Sequence, residues 1–173
     1  MTSIKLPYSR ARARLDHVRK WANHAEAFLL SMFLTEKIIR RTLVQLVIWK
    51  GSTPVDAFKT VKKLQFWQLK EEWKKYDEES RSLNEVIEDD NWNVIDAASK
   101  KRNDLVHGSG HEAQNVYRKQ LEKLLPAHDE IKRKFAAKYS GFYGWRGMTD
   151  AAGNLYVSLT HSDPSTFGEA RVA

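Results

Sequence analysis

Apolar positions in the first third of the chain recur at alternating intervals of four and three. Val18, Ala22, Ala25, Leu29, Met32, Ile39, Leu43 and Leu46 form the series, with Glu36 standing in its middle. This is the seam of one long amphipathic helix, ended near Gly51. Thr53-Pro54 reads as a cap followed by a first-turn proline and opens a short helix over about 54–63. A third helix is predicted from Phe66 to Tyr76, a stretch rich in aromatics and lysines. Residues 77–90 are polar and acidic and read as a loop with at most a helical turn. A fourth helix is predicted from about Asp90 to Val106, stopped by Gly108-Ser109-Gly110. A fifth runs from near Glu112 to about Tyr139, with Pro126 expected to kink or divide it. Four or five helices with short links predict an all-α antiparallel bundle over residues 1–140.

After Gly141 the pattern changes. Phe142-Tyr143-Gly144-Trp145-Arg146-Gly147 is aromatic and glycine-rich, and Asp150 to Asn154 reads as a turn. Leu155, Val157 and Leu159 then alternate with Tyr156, Ser158 and Thr160. Residues 141–173 are therefore expected to form a small β-hairpin or extended arm with a disordered end from about Ser162.

The chain of 173 residues suits one domain with a core of its own. It has no cysteine, which excludes disulfides and thiolate metal sites. Its longest apolar runs, such as Leu46-Val47-Ile48-Trp49, are too short to span a bilayer. The basic start is not followed by the apolar stretch of a secretory signal, so the expectation is a cytoplasmic protein without membrane contact. The net charge of +7 is uneven. Residues 1–23 carry six basic side chains against Asp16 alone, and residues 50–76 carry seven lysines against Asp56, Glu71 and Glu72. The centre, from Asp77 to Asp90, is acidic. Concentrated positive charge suits a polyanion such as nucleic acid, and it equally suits a solvated basic face.

Two charges sit where apolar residues are due. At about 100° per residue, Arg102 falls inside the apolar arc of Val94, Ile95, Ala98, Leu105 and Val106. Glu36 interrupts the first seam in the same way. Asp96, Asn103 and His107, spaced by seven and four, line a neighbouring polar facet. An unpaired charge in a core costs several kcal/mol, so each needs a partner or an opening to water. One reading is a buried Glu36–Arg102 ion pair that fixes helix register. The other is a cleft in which Arg102 meets phosphate while Glu36 orients it, and the two are compatible. Arg102 and His107 are five residues apart, which on an ideal helix separates their directions by about 140°. Two such helices related by a two-fold axis would bring them together, which points to a composite site in a homodimer. Fraying at Gly108 would instead swing His107 round within one chain.

Trp67, Trp73 and Tyr76 lie among Lys62, Lys63, Lys70, Lys74 and Lys75. Aromatics among cations either stack on RNA bases or divide between core and solvent. Lys62, Lys63, Lys70 and Lys74, with Lys101 beside the arginine, are the candidate RNA contacts. His17, His24, His111, His128 and His161 show no metal-ligand spacing, and the break at Gly108 separates His107 from His111. Neither a phosphate-binding glycine loop nor a dinucleotide fingerprint is present, so no metal and no cofactor is expected.

Lys101-Arg102-Asn103-Asp104-Leu105-Val106-His107-Gly108 resembles the R-x4–6-H motif of HEPN domains, in which a polar residue often follows the arginine. The helix pattern over about residues 15–140 fits that resemblance. Many HEPN domains are dimeric, metal-independent endoribonucleases of toxin–antitoxin and antiphage defence systems, while others bind RNA, nucleotide or a protein partner without catalysis. The resemblance implies that His107 transfers protons as a 2′-hydroxyl attacks the neighbouring phosphate. It implies that Arg102 stabilises the developing charge, with Asn103 orienting His107 or the phosphate and Glu36 and Asp96 in support. RNA, a second copy of the chain and an antitoxin protein are the partners it implies. Ser109 stands where some HEPN toxins carry a tyrosine modified by a partner nucleotidyltransferase.

Overall fold

The computed structural model describes residues 8–108 and 112–139, together with two short strands. Seven α-helices occupy this part: α1 (Tyr8–Lys20), α2 (His24–Trp49), α3 (Pro54–Lys62), α4 (Gln68–Glu72), α5 (Leu83–Ile87), α6 (Asp89–Val106) and α7 (Gln114–Lys138). The all-α bundle is as the hydrophobic pattern predicts. None of these helices is long and apolar enough to cross a membrane. Met148–Thr149 and Leu155–Val157 pair antiparallel, Met148 opposite Val157. The turn between them, the aromatic stretch before them, Ser109, His111 and the C-terminal end lie outside the described residues.

The long first seam is two helices. Its four-and-three spacing runs unbroken through Trp21, Ala22 and Asn23, yet the backbone turns there, with Ala22 in the left-handed region at φ 55°. Asn23 caps the new helix: its side-chain oxygen accepts from the Glu26 amide at 3.2 Å. Glu26 in turn receives Asn23 Nδ2 at 3.0 Å and Arg14 at 2.6 and 3.1 Å, which ties α1 to the start of α2.

From α2 the bundle is assembled outward. Every side chain from Thr42 to Ile48 is buried, because α1, α3, α6 and α7 all pack on this helix. Thr53 caps α3 as its sequence predicts, accepting from the Asp56 amide at 3.2 Å, with Pro54 in the first turn. The third predicted helix is shorter than expected. Phe66 and Trp67 lie outside it, and a 3₁₀ turn, Trp73–Lys75, closes it. The acidic stretch holds α5, which opens on a capping box between Ser82 and Glu85. Pro126 leaves α7 whole, because it lies on the exposed side where water can take up the Glu122 carbonyl that it cannot serve.

Two polar networks lie inside the core. Trp73 Nε1 donates to the Tyr139 hydroxyl at 2.9 Å, and that hydroxyl donates to Asp77 Oδ1 at 2.8 Å. Asp77, fully buried, also accepts from the Glu79 and Arg81 amides, each at 3.1 Å. Burial and the Asp77 carboxylate push the Tyr139 phenol well above its ordinary range, so it stays a donor. Tyr139→Phe leaves an indole N–H and a carboxylate oxygen without their partner. We expect it to cost about 1–3 kcal/mol in urea unfolding, and an unchanged midpoint would show that water replaces the hydroxyl.

The second network joins α2 to α7. Thr35 gives its hydroxyl proton to the Ser31 carbonyl at 2.8 Å, so the 2.9 Å bond between Thr35 and His128 has Nδ1–H of the ring as donor. His128 Nε2 is then a bare, buried lone pair without a hydrogen-bond partner. Protonating it would bury a charge, and burial pushes the ring from an ordinary 6.5 down to about 4. The unfolded chain therefore binds the proton first as pH falls. Stability is complete above about pH 6.5 and declines by roughly 3 kcal/mol as pH drops towards 4. We expect thermal melts of His128→Gln to lose this part of the pH dependence; an identical slope would place it elsewhere.

Candidate functional site

Arg102 and Glu36 meet across the bundle. Arg102, in the last turn but one of α6, donates through Nη1 to Glu36 Oε2, while Glu36 Oε1 accepts from Arg40 Nε at 2.7 Å. One carboxylate thus serves two guanidinium groups. Its side chain is 17 % exposed and each arginine 26 %. The sites are not sealed: Glu36, Arg40 and Arg102 line a cleft of about 380 Å³. The Glu36–Arg102 ion pair of the first reading forms, and it stands at an open cleft.

Arg40 completes its bonding on the backbone, donating to the Val61 carbonyl at 3.0 Å and the Leu64 carbonyl at 3.1 Å. Val61 lies in the last turn of α3 and Leu64 just beyond its C-cap, so a cation there also meets the negative end of the helix dipole. The Arg102 guanidinium is held on its other side by Asn103, whose Oδ1 accepts from Nη2 at 3.1 Å and Nε at 3.3 Å. Three of its N–H groups are engaged in this way. Asn103 therefore steadies the arginine directly.

His107 is exposed and follows the last residue of α6 as its C-cap, at φ −87° and ψ 3°. Its amide donates to the Asn103 carbonyl at 2.9 Å, and Gly108 turns the chain away at φ 74°. His107 lines the same cleft as Arg102 within one chain.

Asp96 and Asn103 also line the cleft, so the polar facet read from the sequence is assembled there. Asp96 spends its carboxylate on Lys100 at 2.7 Å, one turn on. Ser99, Gln65, Phe66 and Trp67 complete the walls. The candidate lysines do not converge on this cleft. Lys62 and Lys63 are exposed at the end of α3, Lys62 above the Phe58 ring at 5.9 Å. Lys70 is half-buried on α4, and Lys74 pairs with Glu71 at 3.0 Å. Lys101 points away from Arg102 to Glu112, whose hydrogen bond raises its pKa.

Arg40 escaped the sequence reading, although it lies one helical turn from Glu36, the spacing at which opposite charges pair. Lys100, four residues beyond Asp96, carried the same signal. No family model, characterised protein or solved structure matches this chain.

Removing Glu36 takes the carboxylate from two guanidinium groups at once, whereas removing Arg102 leaves Glu36 bonded to Arg40. We expect Glu36→Ala to destabilise the fold by about 1–2 kcal/mol more than Arg102→Ala, read from urea midpoints. Equal losses would mean that Glu36 does not hold the two arginines together.

Proposed function

We propose that this cleft binds an RNA phosphodiester and cleaves it without a metal ion, in the manner of the HEPN domains that the Arg102–His107 motif resembles. The observation that carries the reading is the joint placement of Arg102, held by Glu36 and Asn103, and His107 on one open cleft. A guanidinium fixed at a known place can meet the non-bridging oxygens of a phosphate with little further ordering. His107 takes the proton of the ribose 2′-hydroxyl. The 2′ oxygen then bonds to phosphorus, and the bond to the 5′ oxygen breaks as that oxygen gains a proton. The products are a 2′,3′-cyclic phosphate and a 5′-hydroxyl. Asn103 acts through Arg102, and Asp96 restrains Lys100 at the cleft wall. The proposal extends to the setting of such nucleases: a cytoplasmic homodimer in a toxin or antiphage defence system, restrained by an antitoxin protein.

A second reading rests on Glu36. Its carboxylate offsets part of the positive charge that a phosphate would meet, which favours binding of RNA, nucleotide or a protein partner without cutting.

The test is incubation with single-stranded and structured RNA in EDTA. We expect cleavage that leaves cyclic phosphate ends, with His107→Ala slowing it about 10²–10⁴-fold and Arg102→Ala by a similar factor. Binding without cleavage would select the second reading. Cleavage that survives both substitutions would place the activity elsewhere.

A further inference from the structure

The segment between α3 and α4 sorts its aromatic residues by face. Phe66 turns inward and lies parallel to Trp92, with ring centroids 5.7 Å apart and planes 2° from parallel. Leu69 and Trp73 continue that inward face and are fully buried. Trp67 faces the other way. It is 66 % exposed and forms part of the cleft wall. An indole presented to water on a cleft that also holds arginines is exposed apolar surface.

Its backbone is held firmly. Arg40 grips the Val61 and Leu64 carbonyls just upstream, and the Gln65 amide donates to Gln68 Oε1 at 2.6 Å. Downstream, the Leu69 amide donates to the Phe66 carbonyl at 3.2 Å. The same Arg40 holds Glu36, and Glu36 holds Arg102. The indole and the guanidinium are thus placed by one chain of contacts on one cleft.

An exposed aromatic residue on the same cleft as a fixed cation matches the chemistry of a nucleotide whose base is unpaired. The base stacks on the indole while its phosphate reaches Arg102. A duplex keeps its bases within its own stack and offers the indole nothing. We propose that Trp67 is the base platform of this cleft, and that the strand it takes is single-stranded at that position. This rests on the reading of the cleft as an RNA site, but not on cleavage.

The experiment measures binding, by fluorescence anisotropy at low salt, of a labelled 2′-O-methyl RNA of about ten nucleotides. Its capped 2′ oxygens keep it intact. Trp67→Ala is expected to weaken binding roughly 5- to 150-fold, the range found for loss of one base–aromatic stack. Trp67→Phe should retain most of the affinity, and Trp21→Ala, an exposed indole outside the cleft, all of it. The same sequence as a duplex should bind wild type and Trp67→Ala alike. Single-strand binding that is absent in wild type, unchanged in Trp67→Ala, or lost equally on the duplex overturns the proposal. Cleavage is assayed separately on 2′-hydroxyl RNA. A Trp67 effect on binding without any cleavage would remove the nuclease and leave the platform, and the converse would do the opposite.

Discussion

Glu36 stands on the helix against which α1, α3, α6 and α7 all pack, and a carboxylate in that position needs cations around it. It finds them on two different elements. Arg40 comes from one turn further along α2 and continues to the carbonyls at the end of α3, while Arg102 comes from α6. The three side chains fix the distance between α2 and α6 and the course of the chain leaving α3. Because each remains partly open to water, the same arrangement forms the wall of a cleft rather than a sealed core pair. A hydrophobic substitute for the cluster could hold the helices together equally well. It could not present a guanidinium to a ligand.

The end of α6 is the second constraint on the site. His107 takes C-cap geometry there, Gly108 adopts the left-handed conformation open to glycine, and the last amides fold back on Asn103 and Leu105. Added bulk at Gly108 would meet no neighbour, so it is the backbone angle that calls for glycine here. The helix end thus sets where the chain leaves the cleft that Arg102 and His107 both line.

Much of this was legible in the sequence, and the failures have physical causes. Charges on apolar seams marked Glu36 and Arg102, because burial makes an unmatched charge expensive whatever the fold. The cap at Thr53-Pro54 and the stop at Gly108 were readable because they depend on local chemistry. The break between α1 and α2 was not seen, since its four-and-three spacing passes through the corner and Ala22 adopts a conformation usually left to glycine or asparagine. Asn23 and Glu26, a cap and its reciprocal carboxylate, were the available signal. Ser82 and Glu85 signalled α5 in the same way. The placement of the lysines was not legible, because charge clusters report composition whereas convergence depends on how helices are rotated: Lys101 and Lys100 are neighbours, and of the two Lys100 lines the cleft while Lys101 pairs with Glu112.

The aromatic stretch shows where sequence reasoning had to stop. Trp67, Trp73 and Tyr76 are equivalent as composition, and any of them could have been core or platform. Phe66, Leu69 and Trp73, at intervals of three and four, share the face that packs inward, which puts Trp67 out of phase with them. That phase is fixed from outside the stretch, by Arg40 on the chain before it and by Tyr139 bonding the Trp73 indole behind it. With Trp73 satisfied in the core, its burial is fully explained by packing and one hydrogen bond. Among the described residues Trp67 has no such bond, since Phe66 beside it supplies the anchor to the core, and its indole stays exposed on the wall that also carries Arg102. It is this difference in phase, set by the packing of its neighbours, that separates the platform candidate from the core aromatics.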